Sequence, residues 1–125
     1  MTRSNREVVI ANSEAFSRRD IDAMMEFFAP DAVVRDRRAV GWGEFDGADA
    51  VRAYYEGLFD NTDAIDEDLS VVSESGDVVL GSCRSNVRLL GQPDGALKLE
   101  YVLKVRVADG LIKELEIYED VESAS

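Results

Sequence analysis

Asp36 is the carboxylate of this sequence best placed to do chemistry. It closes the run Ala32-Val33-Val34-Arg35, so the chain delivers it to a site with apolar neighbours. A carboxylate in such surroundings has its pKa raised and becomes usable as a general base near neutral pH. The alternative is a strand-end aspartate paired with Arg35, Arg37 or Arg38 and open to water. There is no histidine in the chain. That absence removes the commonest general base, the serine–histidine relay and most zinc sites. Any catalysis must therefore rest on carboxylates, tyrosines, amides or the lone thiol. Cys83 is a single cysteine without a cation on its own face, so it reads as a small buried hydrophobe on a pocket wall, with no disulfide framework or metal spacing.

The remaining candidates supply hydrogen bonds and walls. Asn12 lies on the apolar side of the first helix, where it could donate to a ligand carbonyl or satisfy a buried backbone group. Tyr54 and Tyr55 share the inner arc of a helix, and Tyr101 has inward parity on a strand; each could offer a hydroxyl to a ligand or simply pack. Phe16, Phe28 and Leu58 on helix faces, with Ser85 and Leu103 on strands, complete the expected lining. Trp42, between Gly41 and Gly43, is either a lid over the pocket mouth or a rim residue.

These side chains need elements to position them. Val9, Asn12 and Phe16 recur at helical spacing within Asn5–Ser17. Asp20 can cap a second helix, whose Ile21, Met24, Met25 and Phe28 share one face and which Pro30 should end. Ala32 to Arg37 reads as a first strand and Arg38 to Gly47 as a loop. A third helix carries Val51, Tyr54, Tyr55 and Leu58 at i, i+3, i+4 and i+7. Four strands follow, at Leu69–Ser73, Val78–Leu90, Ala96–Val107 and Leu111–Tyr118, separated by turns rich in glycine, aspartate and proline. The order predicts a single α+β domain over residues 1–125, with three helices against one curved, mainly antiparallel sheet. Strand parity sends Val79, Gly81, Cys83, Ser85 and Val87 inward, and the small residues among them leave room for a cavity, unless Gly81 marks a bulge. Arg84, Arg88, Glu100, Lys104, Arg106, Glu114 and Glu116 face outward, where opposite charges can pair across strands.

Charge narrows the partners. Fourteen basic against 26 acidic residues give a net −12, which repels phosphate backbones and anionic lipid, so neither nucleic acid nor membrane is expected as a partner. The longest apolar runs are only a few residues, and MTRSNREVV lacks a secretory h-region, so the expected location is the cytoplasm. The acidic stretch Asp60, Asp63, Asp66, Glu67, Asp68 lacks calcium-loop ligands at the required positions and reads as a solvated connection. No metal or cofactor is expected.

Three blocks, DIDAMMEFFAPDAVVRD, GADAVRAYYEGLF and LIKELEIYED, together resemble the nuclear-transport-factor-2-like superfamily, which includes ketosteroid isomerases and SnoaL-like polyketide cyclases. The resemblance covers almost the whole chain and implies a cone-shaped α+β fold with a pocket. Against ketosteroid isomerases it puts Asp36 on the proton-shuttling aspartate and Tyr55 on a tyrosine supporting the oxyanion hole. The sequence departs from that pattern at Asn12, where the oxyanion tyrosine belongs, and near Leu103, where a protonated aspartate belongs, which argues against steroid isomerisation. The epoxide hydrolases of this fold need two aspartates bracketing an arginine, and only Asp36 is expected inside. The usual histidine partners of the cyclases are missing. The resemblance implies a cofactor-independent isomerase, cyclase or dehydratase acting on an apolar carbonyl-bearing ligand, with Asp36 as base and Asn12 or Tyr55 polarising an oxygen. It also implies a homodimer through the outer sheet face. The alternative is a non-catalytic binding or dimerisation module of the same fold.

Overall fold

The computed structural model describes residues 3–39, 41, 43–92 and 96–124. Helix α1 (Asn5–Ser17) starts at Ser4, whose hydroxyl accepts from the Glu7 N–H while the Glu7 carboxylate accepts from the Ser4 N–H, a reciprocal capping box. It ends in a Schellman turn, with the Asp20 N–H on the Ala15 carbonyl and the Arg19 N–H on that of Phe16. Arg19 occupies the left-handed position at φ 58°, where glycine is usual. Its guanidinium explains the choice. It donates to the carbonyls of Phe59 and Thr62 and lies over the Phe59 ring, tying this turn to the end of the later helix that carries Phe59.

Asp20 caps α2 (Ile21–Met25) by accepting from the Ala23 N–H. The helix is shorter than its periodicity suggests, because the Phe27 carbonyl is taken by the Ile112 N–H at 2.7 Å and draws the chain into the sheet. Phe28 is therefore the first residue of β1 (Phe28–Asp36), four residues ahead of the expected start. Pro30 sits inside that strand, within the register shift between Phe28 and Val33 where a ladder donor is not needed. The expected loop after β1 holds a short strand, β2 (Glu44–Asp46), paired antiparallel to it.

Helix α3 (Ala48–Asp60) leads into β3 (Thr62–Ser75), then β4 (Val78–Leu89), β5 (Ala96–Ala108), β6 (Leu111–Tyr118) and a short α4 (Val121–Ala124). The six strands run β2-β1-β6-β5-β4-β3, with β1 and β6 parallel and every other pair antiparallel. The expected acidic connection at Asp60–Asp68 is mostly the first half of β3. Backbone pairing with β4 holds it extended, while Asp63, Asp66 and Asp68 face solvent. Bulges in β3 and between β5 and β6 curve the sheet. Helix α1 packs against β3–β6 and α3 against β1–β3, all on one side, so the helices and the concave sheet enclose the core.

The other side is charged, as parity predicts. Arg84 pairs with Glu100, Arg106 with Glu114, and Arg35 with Glu44, each across neighbouring strands. Val102 is an exception: it has outward parity yet is buried, as is Ala124 of α4, the helix that packs on β4–β6.

Candidate functional site

The helices do not fill the concave side. A cavity of about 240 Å³ remains, with a mostly apolar wall. Its sharpest feature is Glu67. Along β3, Ile65, Glu67 and Leu69 take the inward positions, while Ala64, Asp66 and Asp68 alternate outward. Two serines one turn apart on α1 fix this strand and its carboxylate. The Ser17 hydroxyl accepts from the Glu67 N–H at 2.9 Å and donates to the Glu67 carbonyl at 3.3 Å. The Ser13 hydroxyl donates to Oε1 at 2.6 Å. On the opposite oxygen, Oε2, the Tyr101 hydroxyl donates a short hydrogen bond, and Tyr101 also meets the Ser85 hydroxyl at 2.6 Å.

No cation pairs with Glu67 among the described residues. Burial therefore raises its pKa above the ordinary carboxylate value, and the hydrogen bonds from Ser13 and Tyr101 offset only part of that rise. The Tyr101 hydroxyl is pushed up by burial and then by the Glu67 charge. Burial also raises Tyr54, to about 12, and lifts Tyr55 well above the usual phenol value. All three phenols keep their protons at neutral pH. The hydroxyls of Tyr54 and Tyr55 make no hydrogen bond among the described residues, which leaves two donors in the cavity wall for a ligand oxygen.

A second charged group lines the same cavity. Arg38 reaches back two residues to Asp36, with Nε on Oδ1 at 2.9 Å and Nη2 on Oδ2 at 2.7 Å, and its own N–H also donates to Oδ1. This bidentate pair holds the Arg38 pKa up and leaves the Asp36 side chain 1% exposed. The guanidinium carbon lies 5.6 Å from the Tyr101 ring centre, a cation–π contact. Gly41 folds over the pair. A Cβ there would stand 2.7 Å from the Asp36 carbonyl oxygen and 3.2 Å from its Cγ, so only glycine fits.

The sequence matches the SnoaL-like domain over residues 9–115. This chain belongs to the SnoaL-like family. Its solved structural neighbours share the cone fold. A Catenulispora acidiphila protein with a ketosteroid isomerase-like fold, in complex with trimethylamine, superposes with a TM-score of 0.80 at 18% identity, over 94% of this chain and 88% of its own. An LEH-like epoxide hydrolase of M. tuberculosis gives 0.79 at 17%, over 97% and 86%. A putative polyketide cyclase of Sinorhizobium meliloti gives 0.71 at 25%, over 89% and 93%. No curated protein matches the sequence.

Within this SnoaL-like cone, the structure sorts the expected site residues. Asn12, Phe16, Tyr54, Tyr55, Leu58, Ser85, Tyr101 and Leu103 all line the cavity. Asn12 does so while its amide donates to the Met24 carbonyl at 3.1 Å, so the buried structural role is real and the amide also forms wall. Asp36, Phe28 and Cys83 are not in the lining. Asp36 is inside but is turned to Arg38. Phe28 is spent on packing, its ring 6.1 Å from that of Tyr55. Cys83 is buried in the core, and burial raises its thiol pKa, which removes it as a thiolate nucleophile. The small residue Gly81 does not open the cavity either: the Leu69 side chain occupies the space beside it. Trp42 lies outside the described residues.

The residue that sequence reasoning missed is Glu67, so Asp36 is not the lone inward carboxylate; Arg38, expected only as one of three possible partners of Asp36, also lines the cavity. The signal for Glu67 was present as period-two alternation in Ile65-Asp66-Glu67-Asp68-Leu69, obscured by the acidic composition. Spacing alone could not choose Arg38 over Arg35 and Arg37 as the partner of Asp36, since its reach depends on the turn after β1. Among the described residues, no group of three or more His, Cys, Asp or Glu side chains is arranged to hold a metal ion, and no helix is long and apolar enough to cross a membrane.

Proposed function

We propose that this SnoaL-like domain binds an apolar, carbonyl-bearing small molecule and moves a proton on it, as a cofactor-independent isomerase, cyclase or dehydratase would. The carrying observation is a carboxylate without a cation, held by hydroxyls at the wall of an open, mainly apolar cavity. Glu67 is the general base in this reading, since it lines the cavity and burial raises its pKa above the ordinary carboxylate value. Tyr54 and Tyr55 donate to the ligand oxygen and stabilise the enolate that deprotonation creates. Asp36, the base suggested by resemblance, instead keeps Arg38 in place beside Tyr101.

A second reading rests on a specific observation: both Glu67 oxygens already accept hydrogen bonds within the protein. A carboxyl so occupied suits a binding module that performs no reaction. The two readings separate in deuterated water. Carbonyl compounds that raise the melting temperature of the wild type should incorporate deuterium at the carbon next to the carbonyl, and Glu67→Gln should bind them without exchange. Binding without exchange in the wild type would leave the binding module. A homodimer through the outer sheet face belongs to the same proposal. Solution scattering should return twice the mass of one chain, and a single-chain mass at micromolar concentration would remove it.

A further inference from the structure

We propose that the natural ligand is longer than the cavity, with a polar head at Glu67 and Tyr101 and an apolar chain running out over Leu97 and Leu99. This rests on the reading that the cavity is the ligand site. Along β5 the inward positions are Leu97, Leu99, Tyr101 and Leu103, and their exposure falls from 45% through 39% and 9% to 8%. On this strand the polar Tyr101 lies at the deep end, whereas the mouth end is leucine. The two outer leucines are not misplaced surface residues. They keep the alternation, with Lys98 and Glu100 facing the other way, and they line the cavity itself.

Their cross-strand partners deepen the contrast. Leu97 is paired with Val87 and Leu99 with Ser85, and both partners are buried at 9% and 3%. One strand of the wall is therefore covered while its neighbour, on the same face, stands open. An exposed apolar strip continuous with a pocket marks where something apolar lies. The enclosed volume, about 240 Å³, falls below the roughly 300–1,000 Å³ usual for drug-sized ligands. A ligand with its head inside would therefore place its remaining carbons on this strip. A second copy of the chain is the competing occupant.

The test is a series of phenyl alkyl ketones from acetophenone to octanophenone, with binding followed by calorimetry. The expected result is an affinity gain approaching fourfold for each added methylene, the factor for burying one CH₂, continuing to the longest members. In the double variant Leu97→Ser, Leu99→Ser the gain along the series should be lost, whatever the affinity for acetophenone itself. Acetophenone binding with no gain in the wild type overturns the inference alone. No binding by any member overturns the pocket reading and this inference with it. If the double variant keeps the gain but halves the mass in scattering, the strip belongs to a second copy and the inference falls.

Discussion

Asp36 enters the concave side of the sheet from β1 and Glu67 enters it from β3, and the company each keeps differs in kind. Asp36 faces a guanidinium two residues away, with two charge-assisted bonds, and the cavity does not reach it. Glu67 faces hydroxyls from α1 and β5, with no cation paired to it among the described residues, and forms part of the cavity wall. A buried carboxylate paired with arginine is ionised and occupied, so its worth lies in holding the arginine. A buried carboxylate with no cation beside it has its pKa raised by burial, although the neutral donors that hold it offset part of the rise. In the proposed reading the first serves structure and the second does the acid–base chemistry.

The largest effect should break this symmetry outright. Glu67→Gln preserves the shape and can still accept from Ser13, but it cannot take a proton. Turnover or isotope exchange on any carbonyl ligand should fall by about 10²- to 10⁴-fold, the usual contribution of a positioned general base. Asp36→Asn should leave the exchange rate within a few-fold of wild type once the protein is folded. If the two variants exchange these outcomes, the chemistry belongs to Asp36 and the assignment here is reversed.

Stability should show the converse. Asp36→Asn strands the Arg38 charge in a site where its side chain is only 22% exposed. Breaking a buried ion pair from one side costs about 3–5 kcal/mol, and the partial exposure of Arg38 argues for the lower end. A fall in melting temperature of roughly 10 °C is expected for a chain of this size. Glu67→Gln should lose far less. Calorimetric melting of the two variants at pH 7 checks this. Equal losses would mean that Glu67 is as firmly ionised and paired as Asp36.

Much of this contrast was legible in the sequence, and the missing parts have physical causes. The α1 and α3 periodicities, the β4–β6 meander and the inward parity of Ser85 and Tyr101 follow from local spacing, which the fold preserves. β3 did not follow, because its acidic residues resemble a solvated loop. An edge strand can carry such a row on its open face while its other face lies against α1. The apolar run before it and the resemblance place Asp36 inside. They cannot show that Arg38 curls back to neutralise it, since that needs the close turn around Gly41.

A smaller change sharpens the Glu67 side. Tyr101→Phe removes the hydroxyl shared by Glu67 and Ser85 at a cost of about 1–2 kcal/mol. That hydroxyl is also one of the bonds lowering the Glu67 pKa, so its loss should push the carboxyl further up. The acid limb of the pH–rate profile should then move to higher pH, because the base works only when ionised. An unmoved limb in a folded variant would place the titrating group elsewhere.

The smallest effect is a slope. Burial raises the Glu67 pKa above its ordinary value of 4.5, so between that pH and the native value the folded protein holds a proton that the unfolded chain has released. Stability must fall as pH rises through this window, and the slope vanishes on either side of it. Many other carboxylates titrate nearby, so the useful quantity is the stability of wild type minus that of Glu67→Gln, from urea melts at several pH values. This difference should be most favourable to the wild type below pH 4.5 and should decline as pH rises. A difference that instead grows with pH would mean that the hydroxyls of Ser13 and Tyr101 outweigh burial and hold Glu67 as an anion. Glu67 would then resemble Asp36 in being committed to a charge, and the cavity would be a site for a cationic ligand with no base in it.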